Sequence, residues 1–232
     1  NPAERARLEA GGGRPTQATA WATLTSLYYR KPDVAEARNA ALRAYDADAY
    51  LASAPLVLER LFWTNYDQEV FAEAVRWCSE GNRRFPDQAF FHHCQLWLQL
   101  APKGVRIDPD RAWRLRDSLV HRSPPRTRAL DSLRATILVA GSLARAGLAD
   151  SSRAVLGSIR DGAPRIDTER TLSGDEAIVR VILGDLDEAV RLIKEYLTFH
   201  PDHREGFATG TAWWWRDLQG NAEFRRLIQA SR

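Results

Sequence analysis

The sequence predicts an all-α protein built from helical hairpins stacked in series, and three observations predict it. Leucine and alanine are abundant while alternating runs of β-branched residues are scarce, which favours helices over sheet. Pro86, Pro124, Pro164 and Pro201 follow one another at intervals of 38, 40 and 37 residues, each closing one amphipathic run and preceding another. A fixed spacing in that range marks repeated helix pairs. Finally, 232 residues with 44% apolar content can bury a core as one domain or as one elongated array.

Taken in chain order, residues 1–30 open with "NPAERARLEAGGGRPTQATA", whose glycine run at 11–13 is expected to act as a flexible tether. The chain contains no methionine and starts at Asn1, so a processed leader or a preceding domain is expected. Export to the periplasm or cell surface is slightly favoured over the cytoplasm. From residue 31 to 232 one helical-repeat domain is expected. Its first helix is opened by Pro32 and Asp33, with Val34, Ala37, Ala41, Leu42 and Tyr45 toward a neighbour. Four units follow, over about 48–86, 87–124, 125–164 and 165–201, with a cap over 202–232.

The fullest unit is "GDLDEAVRLIKEYLTFHP", residues 184–201. Gly184 tolerates the positive φ that ends a helix, Asp185 can cap the next, and Ala189 lets two backbones approach. Leu192, Ile193 and Tyr196 recur at helical spacing, and Pro201 stops the helix. The preceding unit carries Thr136, Val139, Ala140 and Leu143, then Gly147, then Ser152, Leu156 and Ile159, then Pro164. Ala74 with Pro86, and Ala112 with Pro124, mark two more degenerate units, the first lacking a loop glycine and the second carrying a long loop, "APKGVRIDPD".

These positions resemble the tetratricopeptide repeat (TPR), over roughly residues 48–201. The resemblance implies a right-handed α-solenoid of helix-turn-helix units whose first helices line a concave, partner-binding face. Arg180 falls where the family prefers a large apolar residue, so a shift of that helix by one position is expected. A stack of this kind needs its apolar ends covered. "NAEFRRLI", with Asn221 as cap and Phe224, Leu227 and Ile228 in one stripe, is expected to be the closing helix. In "TAWWWRDLQ" adjacent helical residues point about 100° apart. Trp213, Trp214 and Trp215 therefore cannot all bury in one groove, and at least one should reach the rim. This tail is similar to the terminal segments of repeat regions in multidomain bacterial regulators.

Charge points to a mixed surface. There are 33 basic and 30 acidic residues, a net +3, yet residues 111–134 hold seven arginines against two aspartates. That local excess of five could meet an acidic partner, but a solvated helix face accounts for it and nucleic acid is not expected. No apolar run approaches the roughly 20 residues of a membrane span. Cys78 and Cys94 sit eight residues either side of Pro86. In an antiparallel pair both lie about 12 Å from the turn. A disulfide is open to them in an oxidising compartment, although two buried free thiols are the favoured alternative.

No phosphate loop, nucleophile elbow or zinc motif is present, so neither catalysis, cofactor nor metal is expected. His92 and His93 in "FFHHC" point apart, while His200 and His203 flank a turn. Asp108, Asp110, Asp185 and Asp187 sit at helix starts, where the helix dipole favours them. What remains is recognition. Trp63, Tyr66, His93, Trp97, Arg134, Arg145 and Trp214 are the candidate partner-binding residues, because aromatic and arginine side chains dominate binding hot spots. The expected function is a non-catalytic protein-interaction scaffold, an exported subunit of an envelope-associated complex, with Arg134 and Arg145 selecting acidic groups. The alternatives are a glycan or small-ligand receptor using exposed tryptophans, and the regulatory tail of a larger bacterial signalling protein.

Overall fold

The computed structural model describes residues 14–229 apart from 32, 49, 51, 210 and 211, and among these every regular element is helical. The chain forms two compact units, Asn1–Phe91 and His92–Arg232.

The first unit contains α1 (Arg14–Arg30), α2 (Val34–Ala47), α3 (Ala54–Asp67) and α4 (Phe71–Arg84), each packed on the next, with α1 also touching α3. The tether expected over residues 1–30 is therefore a helix from Arg14 onward. Residues 1–13 lie outside the described residues. Ala18, Trp21, Ala22 and Leu24 of α1 are buried, so packing on α2 accounts for a helix that the local sequence announces weakly. Helix α2 begins as expected: the Asp33 carboxylate accepts from the Glu36 N–H at 3.2 Å, and Ala37, Ala40, Ala41 and Ala44 form the buried stripe. In α4 the stripe runs Phe71, Ala74, Trp77, Cys78, Gly81.

Helix α5 (Ala89–Leu98) straddles the division between the units. The second unit continues with α6 (Pro109–Arg122), α7 (Arg128–Arg145), α8 (Ala149–Ile159), the single turn α9 (Ala163–Ile166), α10 (Thr171–Leu183) and α11 (Leu186–Phe199). Helix α7 is its centre, packed on α6, α8 and α10, while α10 pairs with α11. Asp108 caps α6 through the Arg111 N–H at 2.8 Å. At the end of the chain come α12 (Arg204–Ala208), a 3-10 segment over Trp213–Leu218 that touches α10, and α13 (Ala222–Gln229), which touches α11 and α12. Asn221 caps α13, accepting from the Glu223 and Phe224 N–H groups at 2.9 and 3.0 Å, and Phe224 is fully buried. Trp213 and Trp215 are buried and Trp214 is half-buried, so the three indoles do not all bury together.

Three hairpins share one turn. Val70, Leu148 and Asp185 each donate an N–H to the carbonyl five residues back, Asn65, Leu143 and Arg180, all at 2.9 Å. The residue before each donor has positive φ: Glu69 at 61°, Gly147 at 79° and Gly184 at 77°. This is the Schellman ending of a helix. Five residues beyond each positive-φ position stand Ala74, Ser152 and Ala189, all at 0% exposure, and seventeen beyond stand Pro86, Pro164 and Pro201. Glu69 thus occupies the place of the missing loop glycine. Ser152 marks how close the backbones come, since its Oγ donates to the Ala140 carbonyl at 2.7 Å.

Three local expectations need correction. Asp185 precedes α11 without a side-chain cap bond, because its carboxylate accepts from Arg153 at 2.8 Å and from Arg180 at 3.3 Å. Arg180 needs no shift of its helix, since it lies buried where an apolar residue was expected, paired with Glu176 at 2.8 Å and with Asp185. Cys78 and Cys94 are both disulfide-bonded, which overturns the free-thiol alternative.

A Cβ at Gly184 or at Gly157 would meet no atom within 4 Å, but only Gly184 has positive φ. Gly184→Ala should therefore cost about 1–2 kcal/mol, whereas Gly157→Ala should stabilise by about 0.5–1 kcal/mol, both read from urea unfolding. The intact mass of unreduced protein should fall below the reduced mass by two hydrogens, and reduction should lower stability by about 2–4 kcal/mol.

Candidate interaction site

In the second unit polar and charged side chains run from helix to helix where apolar ones would pack more cheaply. Asp131 lies on α7 in one stripe with Ala135 and Leu138, all three buried. Its Oδ2 accepts from Thr127 Oγ1 at 2.8 Å, and its Oδ1 lies 4.0 Å from Nε2 of His93 on α5. One turn along α7, Arg134 donates from Nε to Asp175 Oδ2 of α10 at 2.9 Å. Asp175 shares a stripe with the buried Leu172 and Val179. Asp167, just before α10, accepts from the Thr171 N–H and hydroxyl at 3.0 and 2.8 Å and from the Leu172 N–H at 2.7 Å. Beside this pair, the Tyr196 ring of α11 packs over Gly174, where a Cβ would sit 3.3 Å from it, and its hydroxyl meets His203 Nδ1 at 2.5 Å. The result is a row of polar side chains, a ladder in which Arg134–Asp175 and Tyr196–His203 are hydrogen-bonded and His93 approaches Asp131 to 4.0 Å.

Burial and neighbouring charge set the protonation along it. Burial, followed by the nearby Arg134 cation, lowers His93 to about 4, against the opposing pull of Asp131. The imidazole is thus neutral near pH 7. Burial also raises Asp175, against the attraction of Arg134. For Arg134 burial works downward, and Asp175, Asp131 and Asp167 more than reverse it. Tyr196 is pushed up to about 12 by burial and then by Asp175 and Asp202.

The residues singled out from sequence are distributed as follows. His93 and Arg134 come together in the ladder. Arg145 donates from Nε to the Leu100 carbonyl at 2.7 Å and lies 5.4 Å over the Trp213 ring. Both arginines assigned to acidic groups on a partner therefore hold bonds within the chain. Trp97 is buried, and Trp214 stands half-buried, edge-on to Trp213 at 5.2 Å. In the first unit Tyr66 is 1% exposed, stacked on Phe62 at 5.4 Å, and works as core. Trp63 is half-buried at the edge of the same cluster, 5.0 Å from Phe62 and 6.0 Å from Phe90. Asp131, Asp175 and Tyr196 were missed as site residues. The signal available for the two aspartates was a carboxylate on the apolar stripe of its own helix.

A cleft of about 420 Å³ also opens in the second unit, floored by Ile137, Leu172 and Leu192. Its charged walls pair with one another: Arg191 with Glu188 at 2.8 Å and Glu195 at 3.3 Å, and Arg170 with Glu195 at 2.9 Å. Among the described residues no group of three or more side chains could hold a metal ion, and no helix is long and apolar enough to cross a membrane. Compared with known proteins, no family model and no curated protein matches the chain.

The first unit has a buried polar cluster of its own. Tyr29 of α1 donates its hydroxyl to Asp67 Oδ2 of α3 at 3.2 Å, and the Arg60 guanidinium lies 4.7 Å over the Tyr29 ring. Burial pushes Asp67 up to about 7, against the Tyr29 hydrogen bond and the Arg60 charge. An unfolded aspartate titrates near 3.9, so the folded chain holds this proton more tightly. The resulting stabilisation is complete below about pH 4 and is lost as pH rises toward 7. Asp67→Asn removes the ionisable group and keeps an acceptor for Tyr29. Thermal melts should show the variant about 1–3 kcal/mol more stable than the parent at pH 8 and close to it at pH 4.

Proposed function

We propose that this chain is a non-catalytic, TPR-like scaffold, a right-handed stack of helix pairs that binds an extended segment of a partner protein along the face formed by the first helices. The observation that carries the reading is the recurring hairpin: positive φ at Glu69, Gly147 and Gly184, a fully buried small residue five positions on and a proline seventeen positions on. Units of that kind cannot shield their apolar faces singly and are stable by stacking. Contacts between first helices of successive pairs, α1 with α3 and α7 with α10, support the same arrangement. The 3-10 segment and α13 fit the role of an end cap.

Recognition in the first unit would use the half-buried indole of Trp63, and in the second unit that of Trp214. The oxidised cysteines favour an oxidising compartment, which fits a periplasmic or cell-surface subunit of a larger complex.

Photo-crosslinking in the source cells tests the reading. A photoreactive phenylalanine replacing Trp63 or Trp214 should yield adducts with one and the same partner protein, identified by mass spectrometry. The same group at Ala154, exposed on the second helix α8, should not. Equal labelling from all three positions, or none from any, would overturn the assignment of the face.

A further inference from the structure

Charge on the second helices follows a rule that α6 breaks. On α4, α8 and α11 the exposed arginines Arg76, Arg83, Arg153 and Arg191 each meet a carboxylate three residues earlier: Glu73 at 3.2 Å, Glu80 at 2.8 Å, Asp150 at 3.7 Å and Glu188 at 2.8 Å. Three residues before Arg114 of α6 stands Arg111, and three before Arg122 stands Leu119. Arg111, Arg114 and Arg122 are all exposed and form no ion pair among the described residues, Arg111 reaching the neutral Gln95 Oε1 at 3.4 Å. With Ser118 they stand at i, i+3, i+7 and i+11, one row about 17 Å long that faces away from the buried Ala112 and Leu119. Exposed Arg126 follows in the turn after the helix. Residues 106–128 hold seven arginines against three aspartates, an excess of four, where the whole chain carries +3. Arg116 and Arg128 are held within the unit, by Asp117 at 2.8 Å and by the Ser123 carbonyl at 3.0 Å. Stability does not call for the row. Arg111 and Arg114 repel each other one turn apart, and Arg111 stands in the first turn of α6, where the helix dipole disfavours a cation.

We propose that the row of Arg111, Arg114 and Arg122 binds an extended segment of a partner protein rich in aspartate or glutamate. An extended chain presents same-side carboxylates about 7 Å apart, so three of them match the row. Each would meet a planar guanidinium able to donate two parallel N–H bonds. The flank of the row selects a narrow ligand. Asp110 and Asp117 stand about 40–60° round the helix from Arg114, and a broad polyanion, such as duplex nucleic acid or an anionic bilayer, would press its own charges against them. A single acidic segment running along the row passes them by. Among residues 106–128 no large apolar side chain is exposed for a bilayer to take in. Trp113, which could stack on a base, is half-buried with Arg116 5.9 Å over its ring. This surface belongs to a second helix, so it stands or falls separately from the first-helix face.

Fluorescence anisotropy on the whole chain tests it, with a labelled octaglutamate peptide and its octaglutamine counterpart. Saturable binding is expected with octaglutamate, weakening about tenfold between about 50 and about 300 mM salt, and none with octaglutamine. The double variant Arg114→Gln, Arg122→Gln should weaken octaglutamate about tenfold. The double variant Arg76→Gln, Arg83→Gln removes the same charge from α4 and should change binding less than about twofold, which separates the row from bulk charge. All four side chains are exposed, so both variants should fold as the parent does, checked by circular dichroism. Absent octaglutamate binding, equal binding of octaglutamine, or equal loss in both variants overturns the proposal. So does a larger effect of the α6 variant on a random-sequence DNA duplex or on phosphatidylglycerol vesicles than on octaglutamate.

Discussion

Two helices of a hairpin can approach closely only where a small side chain stands at the crossing, and this chain places one there in three of its pairs. Ala74, Ser152 and Ala189 are all fully buried. Close-packed interiors respond to a single added methylene, so each of these positions fixes how far apart the backbones lie. The turn before it fixes the angle of entry. A positive-φ residue ends the first helix, the next N–H reaches back to the carbonyl five residues earlier, and the second helix starts with its small residue already facing its partner. Crossing and turn are therefore one device, repeated.

Charge is organised by the same repetition. Asp185, released from capping duty, accepts from Arg153 on α8 and from Arg180 on α10, so one carboxylate at the turn ties together helices of two successive pairs. Partnering on two sides lets the Arg180 guanidinium lie buried at an apolar position. Bidentate, planar donors tolerate that arrangement better than a lysine would. The clamp of Tyr29, Arg60 and Asp67 plays a comparable part between α1 and α3, though there desolvation outweighs the partners and leaves the carboxyl largely protonated below neutrality.

How much of this was legible follows from the range over which each signal acts. Gly147 and Gly184, Ala189, the Asn221 cap and the unequal burial of the three tryptophans could be read because each follows from backbone geometry within a few residues. Helix α1 could not, because its threonines and alanines carry no cap signal and it is ordered by contact with α2. The disulfide was half legible: symmetric spacing about Pro86 set the height of both cysteines, but spacing alone does not say whether side chains face each other. Arg134 was assigned outward, and its partner Asp175 stands 41 positions away, beyond any periodicity argument.

The ladder is the part of the molecule that stability explains least. Ion pairs shielded from water return about what their desolvation costs, and well-packed apolar side chains of similar volume do as well or better. Arg134 and Asp175 satisfy each other, so they are close to neutral in that balance. His93 and Asp131 are not, because His93 Nε2 is buried without a hydrogen-bond partner 4.0 Å from a carboxylate oxygen. Leucine at either position would remove the cost. Ser142 Oγ of α7 is buried without a partner as well, so unmet polar atoms recur on these helices where an apolar core would leave none.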